Sequence, residues 1–112
     1  MSFKIITTAY ADKAIKKLSK RYHSFSNDIK AFREELLNNP LQGDEIAPHV
    51  RKIRMAITSK GRGKSGGARV ITFNALVSEQ DGKIYLLLIY DKADTPNVKM
   101  NVIKEIIEEL GL

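Results

Sequence analysis

The chain has 112 residues, no cysteine, 43% hydrophobic residues and a formal net charge of +6. That length and apolar content suit one packed domain spanning 1–112 and argue against a disordered chain. The missing cysteines exclude disulfide staples, thiolate catalysis and thiolate metal ligation.

Residues 1–10 lack a signal-peptide apolar run, and the longest apolar stretch, Ile84 to Tyr90, is far too short to span a bilayer. A soluble cytoplasmic protein is expected, with no membrane partner. Phe3 to Thr7 reads as a short strand, after which Thr7 or Thr8 can cap a helix. In that helix Ala11, Ala14, Ile15, Leu18 and Tyr22 recur at helical spacing, with Lys13, Lys16, Lys17, Lys20 and Arg21 on the wet side. Ser26 is the expected cap of a second helix, whose apolar face is Ile29, Phe32, Leu36 and Leu37. Asn38-Asn39-Pro40 ends it, because proline disfavours a helical residue before it. A short link between the two helices predicts an antiparallel hairpin.

Leu41 to His49 reads as a connector. Ile53, Met55 and Ile57 then alternate with Lys52, Arg54 and Ala56, a strand with one packed and one cationic face. A glycine-rich loop follows from Ser59 to Gly67, and Ala68 to Val77 is a second long strand. Gln80-Asp81-Gly82 predicts a hairpin turn into a strand from Lys83 to Tyr90. Thr95-Pro96 is a helix-start signal, and Val98, Val102, Ile103, Ile106, Ile107 and Leu110 form the stripe of a closing helix. The order β-α-α-β-β-β-α predicts an α+β domain, with an N-terminal helical hairpin on a curved antiparallel sheet. Sheet order is not legible from the sequence.

Charge placement narrows the function. From Ile46 to Ser78 there is no Asp or Glu, while Arg51, Lys52, Arg54, Lys60, Arg62, Lys64 and Arg69 fall there. A one-sided cationic field of this kind attracts polyanions, although a basic strand face also serves solubility. Gly63-Lys64-Ser65 superficially suggests a nucleotide-binding P-loop. That motif needs a glycine at Thr58 and a helix directly afterwards, whereas a strand is predicted. What remains is a tricationic loop able to approach phosphate, or else a solvated hairpin tip. Lys52 and Arg54 share a strand face, and Arg69 opens the next strand. Together they form a candidate catalytic cluster able to stabilise a pentacoordinate phosphorane. Tyr90 ends the last strand and can stack on a base or contact a phosphate, or pack with its hydroxyl at the core edge. Asp91 reads as a partner for a cation. His23 and His49 stand apart from each other, so neither a metal site nor a histidine acid–base pair is expected, and no cofactor is implied.

Val50-Arg51-Lys52-Ile53-Arg54, the loop Lys60 to Gly67 with Ala68-Arg69-Val70-Ile71, and Tyr85-Leu86-Leu87-Leu88-Ile89-Tyr90-Asp91-Lys92 together resemble the RelE/ParE toxin superfamily, in its HigB-like RelE branch. The resemblance runs along nearly the whole chain. It implies a type II toxin-antitoxin toxin, neutralised by a cognate antitoxin protein, that enters the ribosome and cuts mRNA without a metal. In such a metal-independent endoribonuclease (mRNA interferase) the 2′-hydroxyl attacks the adjacent phosphate. By position, the resemblance places Lys52, Arg54 and Arg69 among the catalytic cations, matches Lys60 and Lys64 to its basic loop and puts Lys92 near a later cationic position; Lys64 and Lys92 join the catalytic candidates, and so, from the residue reading, does Tyr90, which lies earlier than the family's tyrosine. Arg51, Lys60 and Arg62 become RNA-binding candidates. RelE toxins often carry a tyrosine shortly after the last strand, where this chain has about Lys99, so the general base is not assigned. Two other readings stay open: a ParE-like inhibitor of DNA gyrase, and an RNA-binding module without activity. Direct DNA binding by this chain alone is not expected.

Overall fold

The computed structural model describes residues 2–78 and 81–112. The chain runs β1 (Ser2–Thr7), α1 (Ala9–Arg21), α2 (Phe25–Asn38), β2 (Asp44–Ala47), β3 (Val50–Met55), β4 (Ala68–Leu76), β5 (Asp81–Asp91) and α3 (Met100–Glu109). The α+β class expected from the sequence is what forms. Among the described residues, five strands make one sheet in the order β1-β5-β4-β3-β2. Among the described residues, no helix is long and apolar enough to cross a membrane.

Apolar alternation gives the sheet two packed faces. Ile53, Met55, Ala68, Val70, Ile84, Leu86 and Ile89 meet Ala11, Leu18, Phe25, Ile29, Phe32 and Leu36 from α1 and α2. On the opposite face Val50, Ile71 and Leu87 meet Ile103 and Ile106 of α3. These faces are called here the hairpin face and the α3 face.

Several expectations are corrected. The sheet is mixed: β1 pairs in parallel with the interior strand β5, whereas the other described pairings are antiparallel. The presumed connector contains the edge strand β2, whose short acidic sequence carries no apolar alternation. Helix α2 starts behind Ser24, not Ser26: the Ser24 carbonyl already accepts the Asp28 N–H at 2.9 Å, and the buried Phe25 opens the first turn. Thr95 does not open α3. Its backbone N–H is taken by the Asp91 carbonyl in a turn, and the helix begins only after Lys99. Of the predicted hairpin turn, Gln80 lies outside the described residues, while Asp81 and Gly82 already belong to β5.

One irregularity sets the facing of the residues at one end of the sheet. In the β4–β5 ladder Ile71 pairs with Leu88 and Thr72 with Leu86, so Leu87 is an extra residue in β5. A bulge of one residue inverts the facing of everything beyond it. Leu87 and Leu88 therefore both serve the α3 face, and Asp91 turns with Ile89 to the hairpin face. Thr8 fastens the bulge. Its hydroxyl donates to the Leu87 carbonyl at 2.9 Å and accepts the Ala11 N–H at 3.1 Å, capping α1. Thr8→Ala removes a cap and orphans a buried carbonyl, so it should cost about 2 kcal/mol. Urea unfolding measures this, and Thr8→Ser should recover most of the loss.

Candidate functional site

The candidate residues gather at the end of the sheet where β3 and β5 finish and β4 begins. Register alone brings four of them together. Arg54 lies directly across from Arg69, and Arg69 directly across from Tyr90. Lys52 sits two residues before Arg54 on the same face, opposite Ile71. The result is a cross-strand row of two arginines and a tyrosine, with a lysine beside it, on the α3 face.

The members of the row differ in freedom. Arg54 is exposed and Lys52 half-buried. The Lys52 ammonium donates to Asn97 Oδ1 at 3.1 Å. Arg69 is only 5% exposed. Its guanidinium donates to the carbonyls of Lys64 at 3.2 Å, Ala68 at 3.2 Å and Ser65 at 2.9 Å. Arg69 is thus a fixed charge that also stitches the glycine-rich loop to β4. The Tyr90 hydroxyl is buried and has no hydrogen-bond partner among the described residues. Burial raises its pKa, and the Arg69 charge offsets this only in part, so the hydroxyl keeps its proton at neutral pH.

A second group lies around the loop. Lys60, Arg62, Ser65, Gly66, Lys92 and Tyr22 line an open cleft of about 460 Å³. Behind it stands Asp91, 2% exposed, turned here by the bulge. Its carboxylate accepts from Lys60 Nζ at 2.8 Å, Ala93 N–H at 3.0 Å, Arg21 at 3.3 Å and the Tyr22 hydroxyl. Burial pushes this carboxyl up, but the bonds from Lys60, Tyr22 and Ala93, with the Lys60 charge, outweigh it. Its pKa falls to about 2. Lys60 also lies over the Tyr22 ring, 5.7 Å from its centroid.

Both ends of the loop are anchored, while Arg62 and Lys64 between them are exposed. At its start, Asp28 accepts the Thr58 N–H at 2.9 Å and the Ser24 hydroxyl at 2.7 Å. Ser24 in turn accepts the Ser59 N–H at 2.9 Å. At its end, the Gly67 carbonyl accepts the Lys92 N–H at 3.2 Å.

Two sequence candidates stand apart. Arg51 occupies the hairpin face, where its guanidinium holds the Leu41 and Gly43 carbonyls at 2.7 and 3.2 Å. Lys64 leans toward α2, 3.7 Å from Glu35. Conversely, sequence reading placed Tyr22 in the helix stripe and gave Asp91 only a generic cation partner. The signal for their joint role was the bulge, which no residue pattern announces. Asn97 and Lys99, beside Lys52 and Tyr90, were also missed, because they were assigned to a helix that starts later.

Searched against models of known protein families, the chain matches none.

Proposed function

We propose that this protein is a RelE/HigB-type toxin, a ribosome-dependent endoribonuclease that cuts mRNA in the cytoplasm and is held in check by an antitoxin. The observation that carries this reading is the Arg54–Arg69–Tyr90 row with Lys52 beside it. It offers concentrated, oriented positive charge on one face, next to an anchored basic loop. Phosphodiester cleavage by a neighbouring 2′-hydroxyl develops negative charge on the non-bridging oxygens. Preorganised cations lower that barrier because they need no reorientation during the reaction. In this reading Arg54 holds the phosphorane, the buried Arg69 adds fixed positive charge behind it, and Lys52 carries the proton from the 2′-oxygen to the 5′-oxygen. Arg62 and Lys92 hold the RNA backbone beyond the cut, while Lys60, paired with Asp91, keeps the loop in place. The attacking 2′-oxygen forms a 2′,3′-cyclic phosphate as the 5′-oxygen leaves with a proton. An acidic antitoxin segment complements the same face.

The test is addition of the protein to a translating extract, with message ends mapped by primer extension. New ends within ribosome-covered codons are the expected result. Arg54 is the informative position because it is exposed and carries no fold contact of the Arg69 kind. Arg54→Ala should lower cleavage by about a hundredfold, as loss of one charge-stabilising donor does in other enzymes, with unchanged thermal unfolding. Intact messages with wild-type protein would overturn the proposal, and a supercoiling assay with gyrase then separates the ParE-like reading from RNA binding alone.

A further inference from the structure

Three serines, Ser19, Ser24 and Ser65, have a lysine or arginine three residues before them. Their surroundings differ. Ser19 lies half-buried within α1. Ser24 is half-buried too, and its hydroxyl is engaged, donating to Asp28 at 2.7 Å and accepting the Ser59 N–H at 2.9 Å. Ser65 is exposed, as is every residue from Gly61 to Lys64 ahead of it. Its hydroxyl reaches the Arg62 carbonyl at 3.5 Å, the outer limit of a hydrogen bond.

The backbone under that hydroxyl is fixed. The Ser65 carbonyl accepts from the buried Arg69 at 2.9 Å, and the Lys64 carbonyl accepts from the same guanidinium at 3.2 Å. Arg62 is held close by. A Cβ at Gly66 would lie 2.5 Å from the Arg62 Cβ and 3.1 Å from its Cδ, so the arginine stem rests against the residue that follows Ser65. Ser65, Arg62 and Lys92 line one open cleft. Lys60, Arg62 and Lys64 stand five, three and one residues before the serine, and no Asp or Glu occurs between Ile46 and Ser78. Charge patterns of this kind direct kinases to their substrates, and cations ahead of a serine suit an acidic substrate groove. A phosphate on Ser65 would meet an arginine and a lysine at the same opening, the charge-assisted pairing that holds phosphoserine in folded proteins.

We propose that Ser65 is a phosphorylation site for a basic-directed serine/threonine protein kinase, and that its phosphate closes the loop cleft by pairing with Arg62 and Lys92. In the transfer the Ser65 Oγ attacks the γ-phosphorus of ATP, its proton passes to the kinase's catalytic base, and ADP leaves. The product carries about two negative charges where the loop had none, and it occupies the cations assigned to the RNA backbone. The modification stands apart from the RNA reading, whereas its effect as an off-switch rests on that reading.

The experiment treats the full chain with ATP, Mg²⁺ and a purified basic-directed kinase. One phosphate per chain is expected, mapped to Ser65 by tandem mass spectrometry and absent from Ser65→Ala. Arg62→Ala should take it up about tenfold more slowly, the effect of one lost charge-assisted contact. No uptake, or equal uptake by Ser65→Ala, would overturn the site. Closure of the cleft is read by ³¹P NMR against pH. Neighbouring cations favour the dianion, so the phosphoserine should titrate with a midpoint about 0.5 lower in the folded protein than in the same protein unfolded in urea. Lys92→Ala should lose part of that difference, and coincident folded and unfolded curves would overturn the closure. The phosphoprotein should also bind a single-stranded RNA oligonucleotide about tenfold more weakly at low salt, with a shallower salt dependence. Unchanged RNA binding removes the switch and leaves the RNA reading. A phosphate that is taken up and held by a protein that binds no RNA in either form keeps the site and removes the RNA reading.

Discussion

Replacing Asp91 by alanine should destabilise the protein by about 3 kcal/mol, although Asp91 makes no part of the proposed chemistry. Its carboxylate is the common acceptor for Lys60, Arg21, Tyr22 and the Ala93 N–H. Removing it leaves the Lys60 ammonium, with a side chain only 12% exposed, facing no counter-charge. Asp91→Asn keeps the shape but not the charge and should cost about 2 kcal/mol. The same group predicts a pH response. Its pKa is about 2 in the folded protein, against an ordinary value of 3.8. The folded state thus binds the proton more weakly than the unfolded chain. The carboxylate contributes about 2 kcal/mol at neutral pH, present in full above pH 4 and lost as pH falls from about 4 through about 2. Urea midpoints from pH 6 to pH 2 check this: the wild type should fall toward Asp91→Asn across that window. Parallel curves for the two proteins would show that Asp91 is not the titrating group.

Gly67→Ala should be equally damaging for a purely steric reason. A Cβ at Gly67 would lie 2.1 Å from the Met55 carbonyl oxygen, 2.9 Å from the Ile57 nitrogen and 3.0 Å from the Ala56 Cα. All three are backbone atoms, so no side chain can swing away, and the end of β3 has to move. Overpacking of this kind costs about 3 kcal/mol. It also displaces β3 at the level of Arg54, so under the proposed endonuclease reading cleavage should fall further than stability alone accounts for. Gly63 is the control. Its φ of 63° favours glycine, but a Cβ there meets nothing within 4 Å. Gly63→Ala should cost only about 1 kcal/mol. Comparable losses at both positions, read by thermal unfolding, would refute the close-packing argument.

Where local chemistry dominates, the sequence was readable. Thr8 is a side-chain cap of α1, and the cation alternation of Lys52 and Arg54 survives intact in β3. The convergence of Arg54 with Arg69 follows from one antiparallel register across a loop, and a hairpin is the simplest guess for such a segment. The parallel β1–β5 pairing was invisible because nothing near Phe3 or Ile5 encodes a partner so distant in sequence. Strand β2 was missed because a short edge strand bearing Asp44 and Glu45 is held by pairing with Arg51 and Lys52, not by its own burial pattern. Thr95-Pro96 misled because the same residues suit a turn as well as a helix start. Asp91 was underestimated for a deeper reason. Its facing depends on the Leu87 bulge, so a strict two-residue alternation puts it on the wrong side of the sheet.

The parallel pairing of β1 with β5 has a consequence for synthesis. Thr8 and the Leu87 carbonyl it serves are 79 residues apart. At ribosomal speeds the N-terminal strand waits on the order of ten seconds for its partner. Meanwhile the α1–α2 hairpin can close on local contacts, leaving β1 as an unpaired edge. The row and the ion-paired carboxylate both end in β5, at Tyr90 and Asp91. A growing chain therefore carries most of its cations long before it can arrange them, and the end of the sheet where they converge assembles only when β5 is free to enter between β1 and β4.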